Sequence, residues 1–307
     1  MAVLVGVDVG GSGLRSRALV HGSPTPVIAS EGIRITRTGI DVESLVDAVV
    51  GALRGVPAPD VLVWAMRGLA ALAEPTAILD MLRTRIRARR AAVCGDALAS
   101  MVGAVGGVRP GAVVASGTGA IAFATDFDTV WRRIDGWGHI LGDRGSAAWV
   151  GLRALQTALE TYDGVSKGGE ALLSVMVERL GDPDTWPRTV MTREDAVADV
   201  AGLAPSVTAL AANDEVAAEI CTDAGRALAR SLSSAARGIE GVCLSRTGGL
   251  LTAEPVLGAF EAEASVLGLE VAPPLGTALD GALHLARYLA EGPSVGQHPD
   301  FLLVDDG

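Results

Sequence analysis

The chain opens with residues 3–20, VLVGVDVGGSGLRSRALV, in which two apolar runs flank a Gly-Gly-Ser-Gly turn. This pattern predicts two strands joined by a tight hairpin. The first run carries one carboxylate, Asp8, whose burial among valines is unfavourable unless a cation or hydrogen-bond donors meet it. Successive backbone N–H groups in such a turn form an anion-binding nest, in which Gly10, Gly11 and Ser12 would contact phosphate.

The same pattern recurs at residues 111–126, GAVVASGTGAIAFATD, with Gly117, Thr118 and Gly119 between two strand-like runs. The GxGxxA spacing also fits a dinucleotide fingerprint, but that motif requires a helix after the turn, and IAFATD alternates like a strand. A single glycine hairpin is typical of an ordinary turn. Two of them, at the starts of two similar halves, favour a pair of phosphate clamps. Asp8 would then hold Mg²⁺ directly or through water, the alternative being an Asp satisfied by backbone N–H groups alone.

The order of the periodic segments predicts two α/β halves with a ligand cleft between them. In the first half we expect strands at 3–9, 15–20, 27–35, 60–66 and 91–95 and helices at 41–55, 75–90 and 96–105. After the second hairpin we expect a largely helical region from 146 to 237, strands at 241–246 and 269–273, and a closing helix at 277–290. The acidic tail, 293–307, is expected to be peripheral.

Composition argues against several classes of function. The formal net charge of −11 over 307 residues disfavours nucleic acid or an anionic membrane as a partner. No signal-like leader and no membrane-length apolar stretch is visible, and the three cysteines lack a CxxC spacing. We therefore expect a cytoplasmic protein without a structural metal or a disulfide framework. Lys167 is the one lysine among 25 basic residues, and no GxxxxGK[ST] motif occurs, which excludes a P-loop.

Polar residues at strand ends are the candidates for catalysis. Asp96 follows the strand 91–95 and begins a helix, which is typical of an N-cap. Because it lies at the carboxyl end of a strand facing the cleft, it would also accept a proton from a substrate hydroxyl. Residues 135–151, DGWGHILGDRGSAAWVG, surround Trp137 and Asp143 with glycines. Trp137 would stack on a sugar or lie structurally beneath a loop, and Asp143 would bind vicinal hydroxyls or join a metal–water shell.

Together these motifs resemble the N-acetylglucosamine kinase branch of the sugar kinase, Hsp70 and actin superfamily, which is grouped with the BadF/BcrA-type ATPases. GVDVGGSGLRS is similar to the first phosphate motif, SGTGAIA to the second, TGGLL to the adenosine motif, and GWGHILGDRGSAAW to the GWGxxxGDEGSAxW element. The resemblance covers nearly the whole chain. It implies two ribonuclease-H-like lobes, 1–110 and 111–307, closing on Mg·ATP. The second lobe would carry a helical insertion, and the final helix would be free to pack back on the first.

The resemblance also implies roles for individual residues. Asp96 would be the catalytic base acting on the 6-hydroxyl of a sugar, while Asp8 serves the metal. The sugar would contact Gly136, Trp137, Gly138 and Asp143. The nucleotide would contact Gly10, Gly11, Ser12, Gly117, Thr118, Gly119, Gly225, Gly248, Gly249 and Ala278.

The expected function is an ATP-dependent kinase of N-acetylglucosamine, glucosamine or N-acetylmuramic acid, acting as a homodimer. Two features depart from the family pattern. Residues 31–41, EGIRITRTGID, lack the Asn that often binds the amino sugar, and Arg144 replaces the motif Glu, where it would recruit an acidic substituent or face solvent. The alternatives are an ATPase activator subunit with an interface iron–sulfur cluster, or a non-catalytic sugar sensor on the same fold.

Overall fold

A computed structural model of the chain describes residues 2–10, 13–32, 35–36, 39–69, 74–192, 196–292 and 294–305. Within these ranges, helices cover two larger β-sheets, and a separate two-stranded ladder lies beside them. The predicted α/β organisation in two lobes is confirmed. Gly11 and Ser12 of the first hairpin lie outside the described residues.

The first sheet is mixed, and its centre is parallel. Its strands are β1 (Val3–Val9), β2 (Leu14–Val20), β3 (Ser23–Pro24), β4 (Ile28–Ser30), β7 (Val61–Met66), β8 (Arg90–Gly95) and β14 (Leu302–Asp305). They run in the order β14-β8-β7-β1-β2, with β3 and β4 both paired to β2. The small ladder is formed by β5 (Ile35–Thr36) and β6 (Gly39–Ile40). Every residue of β7 is buried, because this strand pairs on both edges and is covered on both faces.

Helices pack on both faces of the first sheet. α1 (Val42–Ala52) and α2 (Pro75–Thr84) cover the face that carries Leu62 and Trp64. α3 (Asp96–Val105) and α11 (Ala278–Ala290) cover the face that carries Val63. The alternation of buried side chains along β7 therefore divides the lobe into two cores.

The second sheet has the order β11-β10-β9-β12-β13. Its strands are β9 (Gly111–Ser116), β10 (Ala120–Thr125), β11 (Trp131–Asp135), β12 (Cys243–Thr247) and β13 (Val271–Ala272). The helices that follow in the chain are α4 (Ala147–Tyr162), α5 (Glu170–Leu180), α6 (Trp186–Thr192), α7 (Ala196–Ala201), α8 (Ala204–Leu210), α9 (Glu215–Ala236) and α10 (Glu254–Val266). One large core joins this sheet to α4, α9 and α10. On the other face, Val113 and Phe123 share a core with α3, so α3 lies between the two sheets.

The expectation of a peripheral tail is wrong. Residues 302–305 form β14, which pairs antiparallel with β8 at the edge of the first sheet, and Leu302 is fully buried. Phe301 packs edge-on against Phe123 of β10 at 5.0 Å and parallel to Trp131 of β11 at 6.4 Å, so the tail contacts both lobes. Net acidity concealed the continuous apolar run FLLV, residues 301–304, that makes a strand possible.

Two element boundaries also differ from expectation. Of the strand expected at 27–35, the described residues form the short exposed strand β4 (Ile28–Ser30) and, at Ile35, the start of β5. The helix expected at 75–90 ends at Thr84, and Arg90 already belongs to β8. No single helix in the described ranges is long and apolar enough to cross a membrane. The bent pair 196–210 and 215–236 passes that test together, by length and composition only.

Candidate active site

A cleft of about 770 Å³ lies where strands of the two sheets end opposite each other. The first lobe lines it with Asp8, Arg15, Arg67 and Asp96, and the second with Ser116, Gly117, Gly119, Gly136, Gly138, Asp143 and Gly248. Thr277 and Ala278, at the start of α11, complete the lining. The carboxyl ends of β1, β7 and β8 meet at one edge because these strands are parallel, which places side chains from three separate segments in one site.

Asp8 lies opposite Arg15 across the first hairpin, with 4.0 Å between its Oδ2 and the Arg15 Nη1. The turn is closed by the Gly10 N–H, which donates to the Gly13 carbonyl at 2.9 Å. Burial raises the pKa of Asp8 to about 6, and the negative charge of Asp96 adds to the rise, while Arg15 opposes it. The arginine therefore compensates this carboxylate only in part, so a cation bound beside it would be stabilised.

Asp96 is the first residue of α3 rather than its N-cap, which corrects one of our expectations. Gly95 occupies the cap position, and the Asp96 carboxylate accepts the Ala97 N–H at 2.9 Å. Burial raises the pKa of Asp96, whereas the positive charge of Arg67 and the backbone donors lower it. A carboxylate with a raised pKa at the edge of a cleft is typical of a general base.

The second hairpin is anchored to α4 through its carbonyl groups. The first-turn N–H groups of Ala147 and Ala148 donate to the carbonyls of Gly117 and Thr118, at 2.9 and 3.2 Å. Among the described residues, the N–H groups of Thr118 and Gly119 have no acceptor. Two adjacent N–H groups without acceptors beside a cleft can bind an anion. The Thr118 side chain itself is exposed and does not line the cleft.

Asp143 is held by the loop that follows β11. Its N–H donates to Asp135 Oδ1 at 2.7 Å, and its own Oδ1 accepts the Gly138 N–H at 3.0 Å. Asp135 and Asp143 both have positive φ, 61° and 54°, a conformation that Asp tolerates better than most residues. Gly119 must be glycine here, since a Cβ would lie 2.6 Å from Asp143 Oδ2. Burial raises the pKa of Asp143, although the Gly138 N–H opposes that rise.

Trp137 lies beside the cleft rather than in its lining. Its side chain is 63% exposed, and the Arg133 guanidinium lies 4.1 Å from the centroid of its ring. One face of the indole is thus occupied by a cation. A sugar would have to stack on the other face.

The structure places some of the predicted adenosine-binding residues in the cleft lining and others outside it. Gly248 and Ala278 line the cleft, and Gly248 (φ 103°) packs so closely on the Ser116 carbonyl that a Cβ would overlap it. Gly249 starts a short 3₁₀ turn outside the lining. Gly225 is placed elsewhere, which corrects the expectation that it borders this cleft: it lies in α9, and a Cβ there would meet Val256 O and Phe260 N of α10 at 2.6 Å. Its glycine permits close helix packing.

A profile of the BadF/BadG/BcrA/BcrD ATPase family matches residues 5–283, most of the chain. The chain belongs to this family. A curated relative, the N-acetylmuramic acid/N-acetylglucosamine kinase of Clostridium acetobutylicum, is 34% identical over 90 residues. That match spans 29% of this chain and 29% of the relative, so the chain is matched to under a third of that enzyme's length.

Solved structures share the fold of this ATPase family member. A Chromobacterium violaceum protein provisionally named N-acetylglucosamine kinase superposes with a TM-score of 0.72 at 23% identity, covering 93% of this chain and 99% of that one. A glucokinase of the ROK family from Streptomyces griseus, in complex with glucose and AMPPNP, gives a TM-score of 0.57 at 17% identity, with 93% and 99% coverage. Both likenesses support the two-lobed ATPase fold with a cleft.

Three residues of the candidate site escaped the sequence analysis. Asp135 orients Asp143, and Arg67 and Arg133 line the cleft. Arg67 was recognisable, since it directly follows the buried strand 61–66 at the edge where Asp8 and Asp96 lie. Asp135 lies in the glycine-rich stretch 135–151. Its role in orienting Asp143 depends on the left-handed backbone of this turn, which only the structure shows. Arg144 is exposed outside the cleft, and its N–H donates to Asp135 Oδ2 at 2.9 Å.

Proposed function

We propose that the protein is an ATP-dependent kinase that transfers the γ-phosphate to the 6-hydroxyl of an amino sugar, such as N-acetylglucosamine, glucosamine or N-acetylmuramic acid. The observation that supports this most is the placement of Asp96. Its carboxylate, with a raised pKa, shares one cleft with a glycine hairpin in which, among the described residues, the N–H groups of Thr118 and Gly119 have no acceptor. An acceptor hydroxyl and a phosphate could therefore meet between them.

Asp96 would act as the general base. A base with a raised pKa accepts the proton of the acceptor hydroxyl more readily than an ordinary carboxylate, and the positive charge of Arg67 favours the charged form of Asp96. Its position at the start of α3 is rigid, because α3 is held between both sheets. Rigid placement of the base relative to the acceptor supplies much of the catalysis in phosphoryl transfer.

The phosphates would bind the two hairpins, at Gly10, Gly11 and Ser12 on one side and at Gly117, Thr118 and Gly119 on the other. The adenosine would lie near Gly248, Gly249 and Ala278. The residues present fit a magnesium ion, because the Asp8 carboxylate is buried with only partial compensation. In the described ranges no cluster of three or more His, Cys, Asp or Glu could hold a metal. Most ligands of such an ion would therefore be phosphate and water oxygens, as Mg²⁺ usually prefers.

The sugar would bind at the opposite end, against Gly136, Gly138, Asp143 and the free face of Trp137. Asp143 is 6% exposed, and one of its oxygens is already bound to Gly138, so it would offer the other to a hydroxyl. The names of the Clostridium relative and the Streptomyces structure, an amino-sugar kinase and a glucokinase bound to glucose and an ATP analogue, support this assignment. A cytoplasmic homodimer remains part of the proposal.

The activator alternative has weaker support. Cys94 and Cys221 are buried in β8 and α9, in different lobes, and burial raises the pKa of both thiols, that of Cys221 to about 11. Buried cysteines cannot supply ligands at a subunit surface. A non-catalytic sugar sensor would use the same cleft as the kinase. Only a measurement of turnover distinguishes the two functions.

A coupled assay of ADP release tests the proposal. The purified protein is incubated with Mg·ATP and each of the three sugars, and we expect at least one sugar to stimulate release well above the sugar-free rate. The phosphorylated position is then read by NMR. Sugar binding without turnover would favour the sensor, and no response to any sugar would contradict the proposal.

Asp96→Asn should lower kcat by about 10²–10⁴-fold, because the proton of the acceptor hydroxyl loses its base. The affinity for ADP, measured by calorimetry, should be nearly unchanged. Glu178→Gln on the exposed surface of α5 is the matched control and should retain full activity. Full activity of Asp96→Asn would contradict the assigned base.

A further inference from the structure

Three arginines line the cleft, and only one of them lies beside a carboxylate. Arg15 is 4.0 Å from Asp8. Within the part of the chain that the structure describes, the guanidinium groups of Arg67 and Arg133 make no hydrogen bond and no ion pair. A guanidinium carries five N–H donors, arranged to bind a carboxylate through two parallel bonds.

Arg67 lines the same cleft as the proposed base, Asp96, and the proposed sugar residue, Asp143. Its backbone N–H donates to the Val9 carbonyl at 3.0 Å, which fixes the position of its Cα beside the end of β1. The side chain is exposed to the cleft, and its charge lowers the pKa of both Asp96 and Asp143, which come from different lobes. In the described part of the chain the guanidinium bonds to neither carboxylate, so its N–H groups are available to a ligand that enters the cleft.

Arg133 lies on the same side of the cleft as the sugar-binding loop. It belongs to β11, two residues before Asp135, and its guanidinium rests on Trp137. A cation–π contact leaves the N–H edge of the guanidinium available. One option from the sequence was that Arg144 recruits an acidic substituent of the sugar. Arg144, however, does not line the cleft. Among the described residues, Arg67 and Arg133 are thus the cleft arginines without an ion-pair partner that a bound sugar could meet.

We propose that the acceptor sugar carries a carboxylate, and that Arg67 binds it with Arg133 as a second contact. This inference rests on the proposed kinase function and narrows its substrate class to acidic amino sugars. With a neutral sugar the two guanidinium groups would have no hydrogen-bonded anion, whereas a carboxylate could accept N–H bonds from both. The two arginines therefore determine specificity and take no part in proton transfer.

The test compares two sugars that differ in one substituent: N-acetylmuramic acid, which carries a lactyl carboxylate, and N-acetylglucosamine. The methyl ester of the acid controls for size. We expect the wild type to prefer the acid by at least 10-fold in kcat/KM, and to treat the ester like the neutral sugar. Arg67→Gln should reduce kcat/KM for the acid by about 10–100-fold more than kcat/KM for N-acetylglucosamine, mainly through KM. Arg133→Gln should have a smaller effect of the same kind.

Two further variants complete the design. Arg67→Lys keeps the charge and should recover part of the preference, and Arg89→Gln, with an 81% exposed side chain away from the cleft, should change nothing. An unchanged preference in Arg67→Gln would overturn the inference. An equal loss of kcat/KM with both sugars, together with a higher KM for ATP, would also overturn the inference, because Arg67 would then bind phosphate.

Failure of the kinase proposal gives a different result. If no sugar stimulates ADP release, the affinities for the two sugars are measured by calorimetry without nucleotide, and these affinities test the inference. Binding of the acid by the wild type and its loss in Arg67→Gln would support a carboxylate site on a protein that is not a kinase. Equal affinity for both sugars, or no binding, would overturn it.

Discussion

Asp8 and Asp96 show how the energetics of single residues are tied to the cleft. Each is desolvated, and their like charges raise the pKa of Asp8 further. Such an arrangement destabilises the free protein and is relieved when a cation or a proton arrives. Similar acid pairs are frequent at functional sites, which is why this edge of the sheet is the best candidate for chemistry.

Replacing Asp8 by Asn should stabilise the folded protein at neutral pH. The folded pKa of about 6 lies above the ordinary 3.8, so the folded state binds the proton more tightly than the unfolded state. The free-energy cost of burying the charged Asp8 carboxylate is therefore complete above pH 6 and disappears below about pH 4. At 1.36 kcal/mol per pH unit, the gain at pH 7.5 is at most about 3 kcal/mol.

Urea unfolding of both proteins at pH 7.5, 5.5 and 4 measures this gain. It should shrink steadily as the pH falls. Glu178→Gln, which removes an exposed carboxylate from α5, should show no such trend. A gain independent of pH would mean that the charge of Asp8 is not the cause.

At the scale of elements, the crossing of α3 and α11 brings two backbones into direct contact. A Cβ on Gly103 would overlap the Thr277 carbonyl, and one on Gly281 would overlap the Ala99 carbonyl. This crossing supports the active site, because α3 begins with Asp96 and the N-terminus of α11 lines the cleft. Glycine is required here for space, since both residues have ordinary helical conformations.

Gly103→Ala should therefore reduce the free energy of unfolding by about 1–3 kcal/mol, because the helices must separate. The matched control is Gly51→Ala in α1, where no atom lies within 4 Å of the added Cβ. That change should stabilise the protein by about 0.5–1 kcal/mol through helix propensity. Thermal unfolding of the two variants measures both effects. Equal responses would show that the crossing is not tightly packed.

At the scale of the whole molecule, the tail joins the two lobes next to Asp96, the proposed base. The Phe301 carbonyl accepts the N–H of Gly95, the residue before Asp96, at 3.0 Å, while the Phe301 ring packs on Phe123 and Trp131 of the second sheet. The family model matches residues 5–283, so this connection lies outside the matched residues. It restrains one edge of the cleft from both sides.

Phe301→Ala should lower the free energy of unfolding by about 2–3 kcal/mol, less than for a fully buried Phe because this ring is partly exposed. The loss of aromatic contacts with Phe123 and Trp131 is the cause. Urea unfolding followed by tryptophan fluorescence measures it. Asp300→Ala, which removes an exposed neighbour, should have little effect, and a neutral Phe301→Ala would show that the tail contributes no stability.

The sequence alone was sufficient for the two hairpins, the alternating strands and helices, and the α/β class. The sequence also identified Asp8, Asp96 and Asp143 as candidate cleft residues, because each lies at a strand end or within a glycine-rich turn. These features are local: a period of two, a period of 3.6 and glycine-rich turns can be read from neighbouring residues.

Tertiary structure alone decided the rest. Pairing of the tail with β8, the packing of Gly225 against α10, and the positions of Arg67 and Arg133 in the cleft all depend on segments far apart in the chain. An exposed arginine and a cleft arginine have the same local sequence signal. What distinguishes them is which strand ends meet, and that is determined by the free energy of packing the whole chain rather than by any short stretch.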